Sequence, residues 1–218
     1  MPKSSQLADV FPKEEIITAV PGAQFAELGL GDLPTIASRH RVKLSEIALS
    51  AWDYAMSSDE FRHIDPTVLG EAVDQKHSKL LVMMERVLGR KLLVDIWHVR
   101  LASDDLTGPA CCEATLAHVY PNRLHLADIS LLDPARPRQP APSPDQSHES
   151  LRLFKTFLKR AEGVARRIGA QRITLTAANS DLYGQFQRYG FQLADTRSAP
   201  MSVKYGAGIP MTKLVPAE

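Results

Sequence analysis

The sequence predicts an α/β protein in which a helical N-terminal region, residues 1–90, packs on a sheet-rich domain, residues 91–218. Three observations lead to this prediction. Apolar residues recur at helical spacing before residue 90, three short strand-like runs follow directly, and the last third of the chain alternates helix-like and strand-like segments.

Composition and charge are those of an ordinary globular protein. Of the 218 residues, 44% are apolar and 23% are charged, and 26 Lys and Arg oppose 25 Asp and Glu, which leaves a formal net charge of +1. This balance gives no electrostatic reason to expect nucleic acid or a membrane as a partner. No apolar run approaches the roughly 20 residues of a membrane helix, and the N-terminus lacks the apolar core of a signal peptide. We therefore expect a cytoplasmic protein.

Two helices dominate the predicted N-terminal region. Residues 44–56 place apolar side chains on one face, and a second helix is predicted from Pro66, a favourable first helical residue, to Leu88, with Gly89 as its stop. Residues 12–20 and 32–41 are weaker helix candidates.

Residues 33–56 also have the spacing of a helix-turn-helix. The segment that would enter a DNA groove carries Glu46 and Asp53 and has no basic residue after Lys43. Because such a helix must approach phosphates, we expect an ordinary helical pair and no nucleic-acid partner.

Three strand-like runs follow at residues 91–102, 110–120 and 123–132. Their short connections predict an antiparallel meander. The two cysteines, Cys111 and Cys112, are adjacent and would point to opposite faces of a strand, so they cannot readily bridge each other or chelate one metal. We expect two reduced thiols and no cysteine-based metal site.

The remaining chain begins with a proline-rich loop, residues 133–147. A helix over 148–168, closed by Gly169, is predicted next. A strand, a short helix and two further strands complete the chain, at residues 171–177, 180–189, 191–197 and 209–215.

This order, from residue 91 onward, resembles the GCN5-related N-acetyltransferase (GNAT) superfamily from its second strand to its end. The most specific match is "NSDLYGQFQRYGF" (179–191), because the family ends its core with a strand, an Asn, a helix and a Gly-Phe corner. The segments "RRIGAQRITL" (166–175) and "LADIS" (126–130) are also similar to the family. The resemblance implies a GNAT-like mixed sheet, in which the strands at 124–132 and 172–177 are parallel neighbours that splay apart at one end.

The resemblance also implies an activity, the acyl-CoA-dependent transfer of an acyl group to an amine. Asp128 occupies the Ala-acid-Ile triplet that carries the general base in the histone-lysine branch, and Glu113 is a second carboxylate on the neighbouring strand. Where the family usually has a Tyr that protonates the thiolate, this chain has Phe186. Tyr183 lies about one helical turn earlier and is the candidate acid.

Cofactor contacts are implied by the same match, with acetyl-CoA or another acyl-CoA as the acyl donor. The strand around Ile129 and Leu131 would pair with the pantetheine arm, Ser150 would face the pyrophosphate, and Asn179 and Phe186 would complete the site. The family's glycine-rich loop falls on "SLRLF" (150–154), which contains no glycine. The acceptor would be a small-molecule or peptide amine. The sequence is also compatible with a homodimer.

Each candidate also has a simpler interpretation. Asp128 and Glu113 are also consistent with solvated strand residues. His98, His118 and His125 fall on three successive runs and could bind zinc if they faced one another, but ordinary strand histidines are the commoner case, and His118 or His125 could instead act as the base. A protein of another class also fits, a GNAT-fold chain that has lost cofactor binding and serves as a binding or regulatory module.

Overall fold

The computed structural model describes residues 5–57, 80–102, 111–137 and 148–216. The N-terminal part contains a short 3-10 helix and then, in chain order, α1 (Lys13–Ala19), β1 (Gln24–Gly29), α2 (Leu33–Arg39), α3 (Arg41–Ser57) and α4 (Leu80–Leu88). The rest of the described chain contains β2 (Leu93–Ala102), β3 (Cys112–Val119), β4 (Arg123–Pro137), β5 (His148–Ser150), α5 (Phe154–Arg167), β6 (Arg172–Asn179), α6 (Ser180–Arg188), β7 (Gln192–Leu193), α7 (Ala199–Tyr205) and β8 (Ala207–Leu214).

One mixed sheet organises the molecule, with the strand order β1-β2-β3-β4-β6-β8-β7 and β5 paired to β4. Every pairing is antiparallel except that of β4 with β6, which aligns Arg123–Leu126 with Arg172–Leu175 in parallel. Both strands continue past this register without pairing to each other, so they diverge. The predicted α/β fold class, with its mixed GNAT-like sheet and splayed parallel pair, is confirmed.

Helices cover both faces of the sheet. One core contains side chains of β2, β3, β4 and β6 together with α5 and the N-terminal 3-10 helix, and Phe157 and Leu116 are fully buried in it. The other core lies under α2, α3 and α4 and contains Ile47 and Ala51 of α3 together with Ile96 of β2, all three fully buried. Among the described helices, none combines the length and the apolar character that crossing a membrane requires.

Several element predictions are wrong in detail. Residues 24–29 lie in the region predicted to be helical, yet they form β1, which pairs along its whole length with β2. The helix predicted to start at 148 begins at Phe154, because 148–150 pair with β4 and Arg152 adopts a left-handed backbone conformation (φ 58°) that interrupts a helix.

The C-terminal part also differs from the prediction. The strand expected over 191–197 is limited to the two residues of β7, and α7 was not predicted. The predicted 133–147 loop begins later, because β4 extends to Pro137. Residues 58–79, which contain most of the helix predicted from Pro66, and residues 138–147 lie outside the described residues.

Candidate active site

A cleft of about 630 Å³ opens where β4 and β6 diverge. Its walls come from both strands, from the start of α5 and from α6, and Glu46 of α3 reaches it from the helical layer. The residues that line it are Glu46, Leu126, Ala127, Asp128, Ile129, Ser130, Leu131, Leu132, Ser150, Phe154, Leu175, Thr176, Ala178, Leu182, Gln185 and Phe186.

A β-bulge in β4 sets the direction of Asp128. Leu126 pairs with Leu116 of β3, but the next pair is Asp128 with Thr115, so Ala127 is the extra residue. An inserted residue shifts the alternation of side chains to the two faces of a strand. The bulge therefore gives Asp128 the same face as Thr115 and Glu113, toward α3.

Lys43 of α3 joins the two predicted carboxylates. Its ammonium group contacts both Glu113 and Asp128. The exposed fraction of the side chain is 11% for Glu113 and 37% for Asp128, so Glu113 lies deeper. Of these two carboxylates, Asp128 lines the cleft, whereas Glu113 does not and is linked to Asp128 through Lys43.

Glu46, one helical turn after Lys43, is the most perturbed carboxyl group of the cleft. Burial and, to a smaller extent, the negative charge of Asp128 raise its pKa to about 7, against the opposing effects of a hydrogen bond from Thr176 and the charge of Lys43. Near neutral pH, Glu46 can therefore both accept and return a proton. It bridges the gap between β4, which carries Asp128, and β6, which carries Thr176.

Two histidines lie behind the carboxylates. The rings of His40 and His98 stack with their centroids 4.0 Å apart. Burial is the main cause that lowers the pKa of both, to about 3 for His98, so both are neutral at physiological pH. His98 Nδ1 lies 2.9 Å from Thr115 Oγ1, and its Nε2 lies 4.0 Å from Glu113 Oε1.

Metal-ligand spacing occurs at one point among the described residues. Ligand atoms of His40, His98 and Glu113 lie within 4.8 Å of one another. A divalent cation there would have to compete with the ammonium of Lys43, which already contacts Glu113. The described structure therefore satisfies this carboxylate without a metal.

The three strand histidines do not converge. His118 Nε2 lies 3.0 Å from Asn122 Oδ1, and His125 Nδ1 lies 3.1 Å from Thr174 Oγ1. His125 is fully buried, and burial lowers its pKa to about 3. Neither residue lines the cleft.

The predicted cofactor residues divide into two groups. Ile129, Leu131, Ser150 and Phe186 line the cleft. Asn179 does not, and instead caps α6 by accepting a hydrogen bond of 2.9 Å from the backbone N–H of Leu182.

Tyr183, the candidate acid, is also absent from the cleft wall. The helix presents Leu182, Gln185 and Phe186 to the cleft, which is the i, i+3, i+4 face. Tyr183 lies on the adjacent face, packs against the core, and accepts a hydrogen bond of 3.1 Å from Gln187.

The segment before α5 builds a sharp turn without glycine. Arg152 supplies the left-handed backbone conformation that a glycine usually adopts. The Leu151 amide donates to the carbonyl of Leu131, and the Arg152 amide donates to Ser150 Oγ. The N-cap residue of α5, Leu153, makes no side-chain hydrogen bond to the first turn, so the amides of that turn can bind an anion.

The sequence contained one signal for the residues that were missed. Lys43, Glu46, Ser50 and Tyr54 follow one another at spacings of three or four along α3, beside its apolar stripe. This polar stripe faces β4, because Lys43 contacts Asp128 and Ser50 Oγ lies 3.4 Å from His125 Nδ1. It also reaches β6, where Thr176 donates a hydrogen bond to Glu46. On sequence alone, such a stripe is indistinguishable from a solvated helix face.

Comparison with known proteins gives matches among solved structures. No family model and no curated protein matches the sequence. Similar structures include the PaiA N-acetyltransferase from Thermoplasma acidophilum in complex with coenzyme A, at 18% identity over 88% of this chain and 99% of that chain, with a TM-score of 0.35. Another is the ribosomal-protein-S18-alanine N-acetyltransferase from Escherichia coli, at 16% identity over 90% and 96%, with a TM-score of 0.36.

A third similar structure is the putative acyl-CoA N-acyltransferase from Klebsiella pneumoniae, at 12% identity over 89% of this chain and 99% of that chain, with a TM-score of 0.38. A GNAT-family acetyltransferase from Staphylococcus aureus also matches, as the sequence resemblance predicted. TM-scores below 0.5 support no conclusion about ligand or activity, so the strand order and the diverging β4 and β6 carry the fold class.

Proposed function

We propose that this protein is an acyl-CoA-dependent N-acyltransferase that acts on an amine acceptor. The observation that carries the proposal is the cleft between β4 and β6, into which Glu46 and Asp128 both project. On the side that faces β6, β4 has no strand partner among the described residues between Leu126, where the pairing with β6 ends, and Leu131, whose carbonyl accepts from Leu151. An extended pantetheine arm can pair with such an edge.

The acyl donor would enter along β4. Ile129 and Leu131 would flank the pantetheine, Ser150 would lie near the pyrophosphate, and Phe186 would close the apolar wall. The first-turn amides of α5 would bind the pyrophosphate, with the exposed Arg152 and Lys155 supplying positive charge. The thioester carbonyl of the acyl-CoA would then lie near the end of the cleft that contains Asp128.

Proton transfer decides the chemistry, because a protonated amine has no lone pair for attack on a thioester. We propose Glu46 as the group that accepts the amine proton, since it lines the cleft and its pKa of about 7 suits proton exchange near neutrality. Asp128 would act beside it by holding the incoming ammonium and by raising the pKa of Glu46. The attack forms the N–C bond and breaks the C–S bond, and CoA leaves as a thiolate that water can protonate.

Asp128 as the base, with Glu113 behind it and Tyr183 as the acid, is the assignment that the family resemblance implies. Two variants separate it from the Glu46 assignment. If Glu46 is the base, Glu46→Gln lowers kcat/KM by roughly 10²–10⁴ and removes the rise in rate with pH near 7. Asp128→Asn then keeps this rise but moves it to lower pH, because it removes a negative charge beside Glu46.

Binding is tested separately from turnover. Acetyl-CoA at 100 times its dissociation constant should stabilise the protein by about 2.7 kcal/mol, which thermal unfolding detects. Ala178→Trp fills the cleft wall and should abolish this stabilisation. The matched control is Ala26→Trp, another exposed strand alanine, on β1, which should retain it.

The rival class, a GNAT-fold binding or regulatory module, gives a different result. Wild-type protein would then show no stabilisation by acetyl-CoA and no calorimetric heat, and Ala178→Trp would behave like Ala26→Trp. No CoA release would follow with any amine.

A further inference from the structure

A second pocket, of about 300 Å³, lies at the opposite end of the parallel pairing of β4 and β6. Its lining includes Tyr54 of α3, Arg123 at the start of β4 and Arg172 at the start of β6. The pairing spans Arg123–Leu126, so this pocket lies roughly 10 Å along the strands from the point where the cleft begins. It is therefore distinct from the proposed active site.

Arg123 is an unusual residue to find at the base of such a pocket. It is only 1% exposed, yet no carboxylate of the described residues forms an ion pair with it. Its Nε and Nη2 both donate to the carbonyl of Tyr120, at 3.1 and 2.6 Å. Burial lowers its pKa to about 10, which still leaves the guanidinium charged at neutral pH.

By distance and angle, two buried polar atoms at this pocket have no hydrogen-bond partner, Arg123 Nη1 and the hydroxyl oxygen of Tyr54. The Tyr54 side chain also raises the pKa of Arg123 as a neighbouring polar group, but the guanidinium stacks on its ring, and this arrangement does not point Nη1 at the hydroxyl. The Tyr54 ring partly compensates the buried charge, because the guanidinium carbon lies 3.7 Å from the ring centroid. A stacked ring does not satisfy the Nη1 hydrogens, and a buried donor without an acceptor is costly.

Two guanidinium groups and two carboxylates surround the pocket. Arg172 makes no ion pair among the described residues and adds a second guanidinium to the lining. Asp195 also lines the pocket, and the negative charge of Asp53 acts on Arg123 although Asp53 accepts a hydrogen bond from Ser198. Two guanidiniums and two carboxylates balance, so the preference for an oxyanion comes from the two donors that lack an acceptor, Arg123 Nη1 and the Tyr54 hydroxyl.

We propose that this pocket is a binding site for a small oxyanion, a carboxylate or phosphate group, which accepts hydrogen bonds from Arg123 Nη1 and the Tyr54 hydroxyl. Guanidinium groups recognise both of these anions through charge-assisted hydrogen bonds. The site is independent of acyl-CoA binding, and its occupancy would hold α3 against the start of β4.

The experiment compares the thermal unfolding of the full chain in sodium phosphate, sodium acetate and sodium chloride at equal ionic strength. The oxyanion that binds should raise Tm by about 5–10 °C over chloride at 100 times its dissociation constant. The phosphate and acetate arms distinguish the two ligand classes. Tyr54→Phe removes only the unpartnered hydroxyl and should weaken binding by roughly tenfold or more.

Control variants separate effects on anion binding from effects on stability. Without an oxyanion, Tyr54→Phe should be at least as stable as wild type, because it removes a buried hydroxyl that has no partner. Arg172→Gln should weaken binding, and Arg188→Gln, at an exposed arginine of α6, should not. Equal Tm values in all three salts, or an equal response of Tyr54→Phe and wild type, would overturn the proposal.

Discussion

Glu46→Gln should change how the stability of the protein depends on pH. The pKa of Glu46 rises from an ordinary value of 4.5 to about 7 in the folded protein, mainly through burial. Between these two values the folded state holds a proton that the unfolded state has released. The free energy of unfolding of the wild type should therefore fall as pH rises from about 4.5 to 7, and stay lower above pH 7.

The shift sets the size of the effect. One pKa unit corresponds to about 1.4 kcal/mol, so a shift of this size, discounted for the partial exposure of the group, gives about 2–3 kcal/mol. Gln cannot ionise, so Glu46→Gln should gain this amount relative to wild type between pH 4.5 and 8. For a chain of this length, the gain corresponds to about 5–10 °C in Tm.

Thermal unfolding of both proteins across this pH range measures the difference. Glu14→Gln, at an exposed glutamate of α1, is the matched control and should follow the wild-type curve. Parallel curves for wild type and Glu46→Gln would refute the assignment of a raised pKa to this carboxyl, and with it the case for Glu46 as the base.

Three further predictions concern stability. Lys43→Met should lower the free energy of unfolding by roughly 2–3 kcal/mol in chemical denaturation, because it leaves Glu113 without its cation. Adding Glu113→Gln should recover much of this loss, and a double variant as unstable as Lys43→Met would contradict the pairing. Arg152→Gly and Arg152→Ala should both weaken acetyl-CoA binding in calorimetry. The Ala variant should be about 1 kcal/mol less stable than the Gly variant, because the left-handed backbone conformation at this position suits glycine. Equal stability of the two variants would count against backbone strain at residue 152. Phe157→Ala should cost about 3–5 kcal/mol, whereas Leu49→Ala, at a half-exposed site of α3, should cost far less; similar losses would argue against the burial of Phe157.

Local patterns account for the elements that the sequence predicted well. The strands β2 and β3 and the helix α6 carry their own alternation, caps and turn residues, so a short window contains the signal. The strand β1 does not, because its sequence "QFAELG" lacks alternation and gains strand geometry only by pairing with β2, some seventy residues away. A pairing partner at that distance is invisible to a local pattern.

The site shows the same limit. The composition of "LADIS" identified Asp128, but the bulge at Ala127 that directs its side chain toward α3 depends on the register with β3. Glu46 could not be chosen from sequence, because its raised pKa comes from burial and from Asp128, a residue far away in the chain. The left-handed turn at Arg152 could not be predicted from the sequence for another reason. Glycine is the usual signal for this backbone conformation, and here an arginine adopts it.

The charge balance of the cleft argues for the kind of acceptor that the proposed enzyme would take. Three carboxyl groups, Glu46, Asp128 and Glu113, lie around the ammonium of Lys43, which contacts the last two, and the neighbouring histidines are neutral. Arg100 lies opposite Glu113 in the register of β2 with β3 and adds a second positive charge to the cluster. When Glu46 is ionised, three carboxylates therefore face two cations, and the cluster carries a net negative charge. An amine in its cationic form would be attracted, would pass a proton to Glu46 and would then hold the lone pair that attacks the thioester. The amide product carries no charge on that nitrogen, so the attraction that gathered the substrate would be lost once the acyl group is transferred. On the proposed function, the cluster thus favours binding of a cationic amine before the reaction and release of a neutral amide after it.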